Sequence, residues 1–152
     1  MADLNIQTAI DHLASLDGVN VVQAWGETAF FHNPGDRLPR GTYFATIKEK
    51  DGENDQGSHL DREGVWRLNI GTPVKAFEEL FGPRPPRPAK GKTVEGPWDF
   101  TELDRLIPHP SYGWIGWIAV LNPSIGTWAR CKPLIAHARD KAIATFDKKI
   151  KG

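Results

Sequence analysis

The sequence predicts an α+β fold: an antiparallel or mixed sheet of about five strands, with the N- and C-terminal helices on one face. Three observations predict it. Apolar residues recur at helical spacing near both ends of the chain. Between them lie short runs of strand-like residues broken by Gly, Pro, Asn and Asp. Those strands do not alternate with helices, as a doubly wound parallel sheet would require. With 152 residues, 39% of them hydrophobic, the chain has the size and core-forming content of a single domain, 1–152.

The elements follow in order. Residues 4–16 read as an amphipathic helix carrying Ile6, Ile10, Leu13 and Leu16 on one side, with Asp3 or Asn5 as cap and Asp17-Gly18 as stop. Residues 19–24 and 28–31 read as strands around the break at Trp25-Gly26, and 43–48 as a third strand. A polar, acidic loop fills 51–64. Residues 65–70 alternate strictly, with Trp66, Leu68 and Ile70 facing one way and Val65, Arg67 and Asn69 the other. Thr72 and Pro73 open a helix whose apolar face is Val74, Phe77, Leu80 and Phe81, and Gly82 ends it. Five prolines make 83–97 an extended loop. Asp99 and Glu102 have the spacing of a capping box and predict a short helix over 99–107. Residues 117–121 form the last strand, and 127–148 the longest helix.

Composition excludes several classes. The formal net charge is zero, which weakens any bulk-charge argument for nucleic acid or an anionic membrane. The charge is uneven: residues 1–63 hold eleven acids and five bases, residues 130–152 seven bases and two acids. Cys131 is the sole cysteine, so neither an intrachain disulfide nor a cysteine-rich metal site is expected. No apolar run approaches the ~20 residues of a membrane helix. The N-terminus shows no basic region followed by an apolar run, so a cytoplasmic protein is expected.

A set of motifs carries a resemblance. It comprises Trp25-Gly26 followed by Thr28-Ala29-Phe30-Phe31, Phe44-Ala45-Thr46-Ile47, the run Gly64 to Gly71, Phe77 to Gly82, Leu103 to Pro110 with Tyr112-Gly113, and Gly116 to Pro123. Over roughly residues 5–147 the chain resembles DUF6194, a bacterial family of uncharacterised proteins. More distantly its layout resembles the MmcQ/YjbR-like proteins, which implies a frataxin-like arrangement with helices on one side of an antiparallel sheet. Neither resemblance implies a catalytic residue. The iron site of frataxins does not carry over, because the first helix holds only Asp3 and Asp11.

The candidate site residues are polar or aromatic groups set among core positions. Arg67 and Asn69 project from one side of a strand, about 6.6 Å apart. A guanidinium beside an amide suits an anion, a carboxylate or a base edge, provided that face is open; the alternative is ordinary polarity on an exposed sheet. His109 is held between Pro108 and Pro110 beside Tyr112, where it would act as base or ligand, or bond to its own loop. Trp25, Glu27, Tyr112 and Trp114 offer stacking surfaces and one carboxylate, or rim packing. Arg84, Arg87, Lys90 and Lys92 are candidates for phosphate-backbone contacts, or a solvated loop.

Two apparent motifs fail. Asp51, Glu53 and Asp55 begin like a calcium loop, but Gly57 is misplaced and Arg62 stands where the bidentate Glu belongs. Gly91-Lys92-Thr93 lacks the first glycine of a phosphate-binding loop and its strand–helix context. No metal or cofactor is implied. The expected function is therefore a non-enzymatic module that binds a small anionic ligand or nucleic acid. The alternatives are a small enzyme with a His109-centred cleft and a homodimeric protein-interaction domain.

Overall fold

The computed structural model describes residues 4–151. The chain runs α1 (Ile6–Ala14), β1 (Val19–Ala24), β2 (Glu27–His32), β3 (Thr42–Lys48), β4 (Arg67–Ile70), α2 (Val74–Phe81), β5 (Ile107–Pro108), β6 (Ile118–Leu121) and α3 (Ile125–Lys151). The strands form one sheet in the order β1-β2-β3-β4-β6-β5, every neighbour antiparallel. The sheet has six strands where the sequence suggests about five, the extra one being the two-residue β5. No helix among the described residues is long and apolar enough to cross a membrane.

Each element has a local cause. The Asn5 side chain accepts from Gln7 N–H and caps α1; the alternative cap Asp3 lies outside the described residues. Trp25 and Gly26 both have positive φ, as a two-residue hairpin between β1 and β2 requires. Ser124 Oγ accepts from Thr127 N–H at the start of α3. The expected cap of α2 is different. Pro73 takes the capping position, and the Thr72 hydroxyl instead donates to the Gly116 carbonyl at 2.6 Å, joining the end of β4 to the turn before β6. The helix expected over 99–107 does not form. The Asp99 carboxylate closes a tight turn on Thr101, and Leu106 and Ile107 are buried on opposite sides of the sheet, an alternation only extended chain supplies.

One sheet face is the main core. Ala9 and Leu13 of α1, Phe77 of α2, and Trp128, Cys131, Ile135, Ala138 and Ala142 of α3 pack on Phe30, Phe44, Ile47, Leu68, Ile70 and Val120. Burial pushes the Cys131 thiol up to about 12, so it stays protonated and packs as an apolar group. The other face is covered at the β4–β6–β5 end by a smaller core of Leu60, Val94, Phe100, Ile107, Ala119 and Leu121. The loops 49–66 and 83–117 supply that cover. Arg62 ties them together, donating to the carbonyls of Ser58, His59 and Thr101.

The Trp117 indole lies flat against Gly71, where a Cβ would stand 2.7 Å from its ring. Gly71→Ala must therefore displace the indole. The expected cost is about 1–3 kcal/mol, read by urea denaturation, together with a changed near-ultraviolet circular dichroism spectrum.

Candidate functional site

The register of the strands decides what reaches the outer face. Opposed residues share a face, so Arg67 and Asn69 of β4 stand beside Lys48 and Thr46 of β3, and Glu27 of β2 stands beside Lys48. A bulge in β3 adds Tyr43 to the set. Phe30 pairs with Ala45 and Phe31 with Tyr43, leaving Phe44 as the extra residue. Phe44 and Ala45 both enter the core, while Tyr43, Thr46 and Lys48 all point outward.

Arg67 is completely buried, the largest of the fully buried side chains. The open face expected for Arg67 and Asn69 is thus closed, because the acidic loop folds over it. The guanidinium donates from Nε to Asn69 Oδ1 (2.7 Å), from Nη1 to Asp55 Oδ1 (3.1 Å) and Ser58 Oγ (3.0 Å), and from Nη2 to Asp55 Oδ2. Asn69 Nδ2 in turn donates to Thr46 Oγ1 at 2.9 Å. Burial alone would raise the Asp55 pKa. The Arg67 hydrogen bonds and charge, helped by the Lys48 charge, outweigh it and hold the carboxyl below the usual range. Lys48 Nζ lies 3.8 Å from Asp55 Oδ2, an ion pair too long for a hydrogen bond.

His109 sits at the end of this network. Its Nδ1 accepts from the backbone N–H groups of Ser111 and Tyr112, both at 3.0 Å. A neutral ring that accepts at Nδ1 carries its proton on Nε2. That atom lies 3.3 Å from Arg67 Nη2, so two donors face each other there, and we read the contact as packing rather than a hydrogen bond. Burial first, and the Arg67 charge second, hold the His109 pKa well below its ordinary value. The ring is a neutral clamp on the 109–113 turn, with both nitrogens facing protein.

Above the network lies a pocket of about 350 Å³, at the small end of the range for small-molecule sites. Thr46, Lys48, Asp55 and His109 line it, with Glu27 and Glu53 beside them and Tyr43, Tyr112 and Trp117 as an aromatic wall. The Tyr43 and Trp117 rings are 5.2 Å apart and those of His109 and Tyr112 4.9 Å apart.

Of the residues singled out from sequence, Arg67, Asn69, His109, Glu27 and Tyr112 come together at this pocket or directly beneath it. Trp25 does not: it is 95% exposed at the tip of the β1–β2 hairpin. Trp114 packs against the smaller core, with the Arg87 guanidinium 4.7 Å from its ring centre. Arg84, Arg87, Lys90 and Lys92 are all exposed in the proline-rich loop. Asp51, from the failed calcium motif, and Asp61 of the same loop accept backbone N–H groups of Leu60 and Asp51 respectively and so shape the loop that delivers Asp55. Lys48, Thr46, Ser58 and Tyr43 are missing from the sequence-derived set, and Asp55 entered it only through the rejected calcium motif. Plain hairpin counting from His32 and Thr42 would have placed Ile47 opposite Glu27, and only the bulge at Phe44 brings Lys48 there, so neither Lys48 nor Asp55 carried a signal in the sequence.

The model of a family of unknown function, DUF6194, matches residues 4–151. No curated protein and no solved structure matches the chain.

Two outcomes follow from this geometry. Arg67→Met leaves the Asp55 carboxylate buried without its partner and should cost about 3–5 kcal/mol in denaturant unfolding. Adding Asp55→Asn should recover a large part of that loss, which a purely local packing defect would not. Stability should also fall with pH. A depressed histidine favours the fold fully above its unfolded value of 6.5 and loses that advantage as the unfolded chain takes up protons below it. His12 and His32 shift the same way. Urea midpoints should therefore decline from pH 6.5 toward 5, with a shallower slope in His109→Gln.

Proposed function

The chain belongs to DUF6194, a family of unknown function, and from the geometry of its polar pocket we propose that it is a small-molecule-binding domain. The observation that carries the reading is the placement of Lys48, Thr46 and Tyr112 over a floor whose own polar groups are already paired. Asp55 neutralises Arg67 and Asn69 fills its Nε direction, so the floor is rigid before any ligand arrives. That is a preorganised support.

The charges point to the ligand's character. Glu27, Glu53 and Asp55 are set against Lys48 and the buried Arg67. A bare anion would meet three carboxylates and no unengaged guanidinium. A small polar ligand carrying donors as well as an acceptor fits better: its acceptor to Lys48 and Thr46, its donors to Glu27 and Glu53, its flat side to Tyr112. Binding is favoured over catalysis because His109, the one histidine in the pocket, is buried, neutral and committed to protein contacts. The position of all three helices on one sheet face also supports a frataxin- or YjbR-like layout for the family.

A thermal-shift screen against small polar metabolites tests the reading. A ligand at a hundredfold its Kd should raise Tm by roughly 5–10 °C in a domain of this size. Lys48→Met and Tyr112→Ala should abolish that rise while leaving the unliganded Tm within about 2 °C. Hits that keep their full shift in both variants would place binding elsewhere and overturn the proposal.

A further inference from the structure

A second pocket, of about 390 Å³, lies on the other side of the Tyr43–Trp117 pair. It opens where β2 ends, β3 begins and β4 runs out at Gly71, with α3 as its far wall. The floor is apolar. The Trp117 indole, Phe31 and the methyl groups of Ala138 and Ala142 line it, and Gly41 and Gly71 present bare backbone. The charged groups are Arg40, Lys141 and Lys149, and no carboxylate lines the pocket. In a chain whose formal net charge is zero, such a one-sided cluster is not a bulk effect.

Two further observations support a site here. The Lys141 side chain reaches solvent, as do Arg40 and Lys149, yet desolvation at its base first, then the charge of Arg84, lower its pKa; a fourth cation therefore contributes to the same field. Among the described residues, none of the ion pairs takes up Arg40, Arg84, Lys141 or Lys149. Four like charges gathered on one side of a groove repel one another even where they reach solvent, and a bound anion relieves that repulsion.

We propose that this groove binds an organic anion with a flat apolar body, its ring against Trp117, Ala138 and Ala142 and its carboxylate or phosphate between Arg40 and Lys141. The site differs in kind from the polar pocket, which carries more acids than bases, and the proposal does not depend on that pocket having a ligand.

The test uses 2-naphthoate and 1-naphthyl phosphate as probes, with 2-naphthalenemethanol as the neutral control. Binding is followed by amide and indole shifts in ¹H–¹⁵N spectra of the full chain. Both anions should shift Gly71, Ala138, Ala142 and the Trp117 indole N–H, and the neutral alcohol should bind at least about tenfold more weakly. Arg40→Met and Lys141→Met should each weaken the anions roughly two- to fivefold, as expected for solvent-exposed charge contacts, with spectra otherwise those of the folded protein. Raising salt from 50 to 500 mM should weaken the anions and not the alcohol. Equal binding of the alcohol, shifts confined to Thr46 and Lys48, or no shift at 5 mM probe would overturn the proposal. So would a short oligonucleotide that shifts the same resonances at far lower concentration, which would assign the cations to nucleic acid instead.

Discussion

The outer half of this molecule depends on one ion pair. Arg67 is buried on a β-strand and cannot shed its charge, so the fold must bring a carboxylate to it. Asp55 meets the guanidinium with both oxygens, and it comes from the acidic loop between β3 and β4. Asp51 and Asp61 shape that loop by accepting its backbone N–H groups, and Leu60 anchors it in the smaller core. A buried ion pair contributes little net stability compared with apolar residues of the same size. What it contributes here is position: one loop geometry satisfies Arg67.

The two faces of the sheet therefore hold together by different physics. The helix face is a conventional apolar core in which shape and volume dominate. The outer face is held at one end by a few apolar side chains and at the other by a connected polar network from Thr46 through Asn69, Arg67, Ser58 and Asp55. Such a network tolerates little displacement of any member. It ends in groups that face a cavity, so the same bonds that fold the loop also fix the floor of the pocket.

Much of this was legible in the sequence where side-chain periodicity reported on burial. The alternation over 65–70 separated Trp66, Leu68 and Ile70 from Arg67 and Asn69, and the stripe from Trp128 to Phe146 marked α3. The choice of Arg67, Asn69 and His109 rested on polar residues among core positions, and those three meet in space. The partner Asp55 was not legible. It stands in an acidic stretch whose composition reads as solvated, and loops carry no periodicity to show which side chain turns inward. The helix expected over 99–107 failed for a related reason. Its capping spacing was real, but burying Leu106 and Ile107 on opposite sides of the sheet outweighed a local preference worth about 1 kcal/mol. Trp25 misled because an aromatic beside a turn has the same sequence signature whether it lines a cleft or stands in solvent.

The bulge in β3 has a consequence for how this chain tolerates changes in length. Phe44 is the residue without an opposite number on β2, so the strand counts in step on either side of it. Losing that one residue would restore plain alternation with β2, keep Tyr43, Thr46 and Lys48 on their present side, and sacrifice a phenyl ring from the core and the carbonyl that accepts the Gly71 N–H. Losing a residue between Thr46 and Lys48 would turn one part of the wall over relative to the other. Shortening this strand by one residue would thus have two different outcomes: at Phe44 it would trade stability for length and keep the cavity, and between Thr46 and Lys48 it would cost the cavity a side.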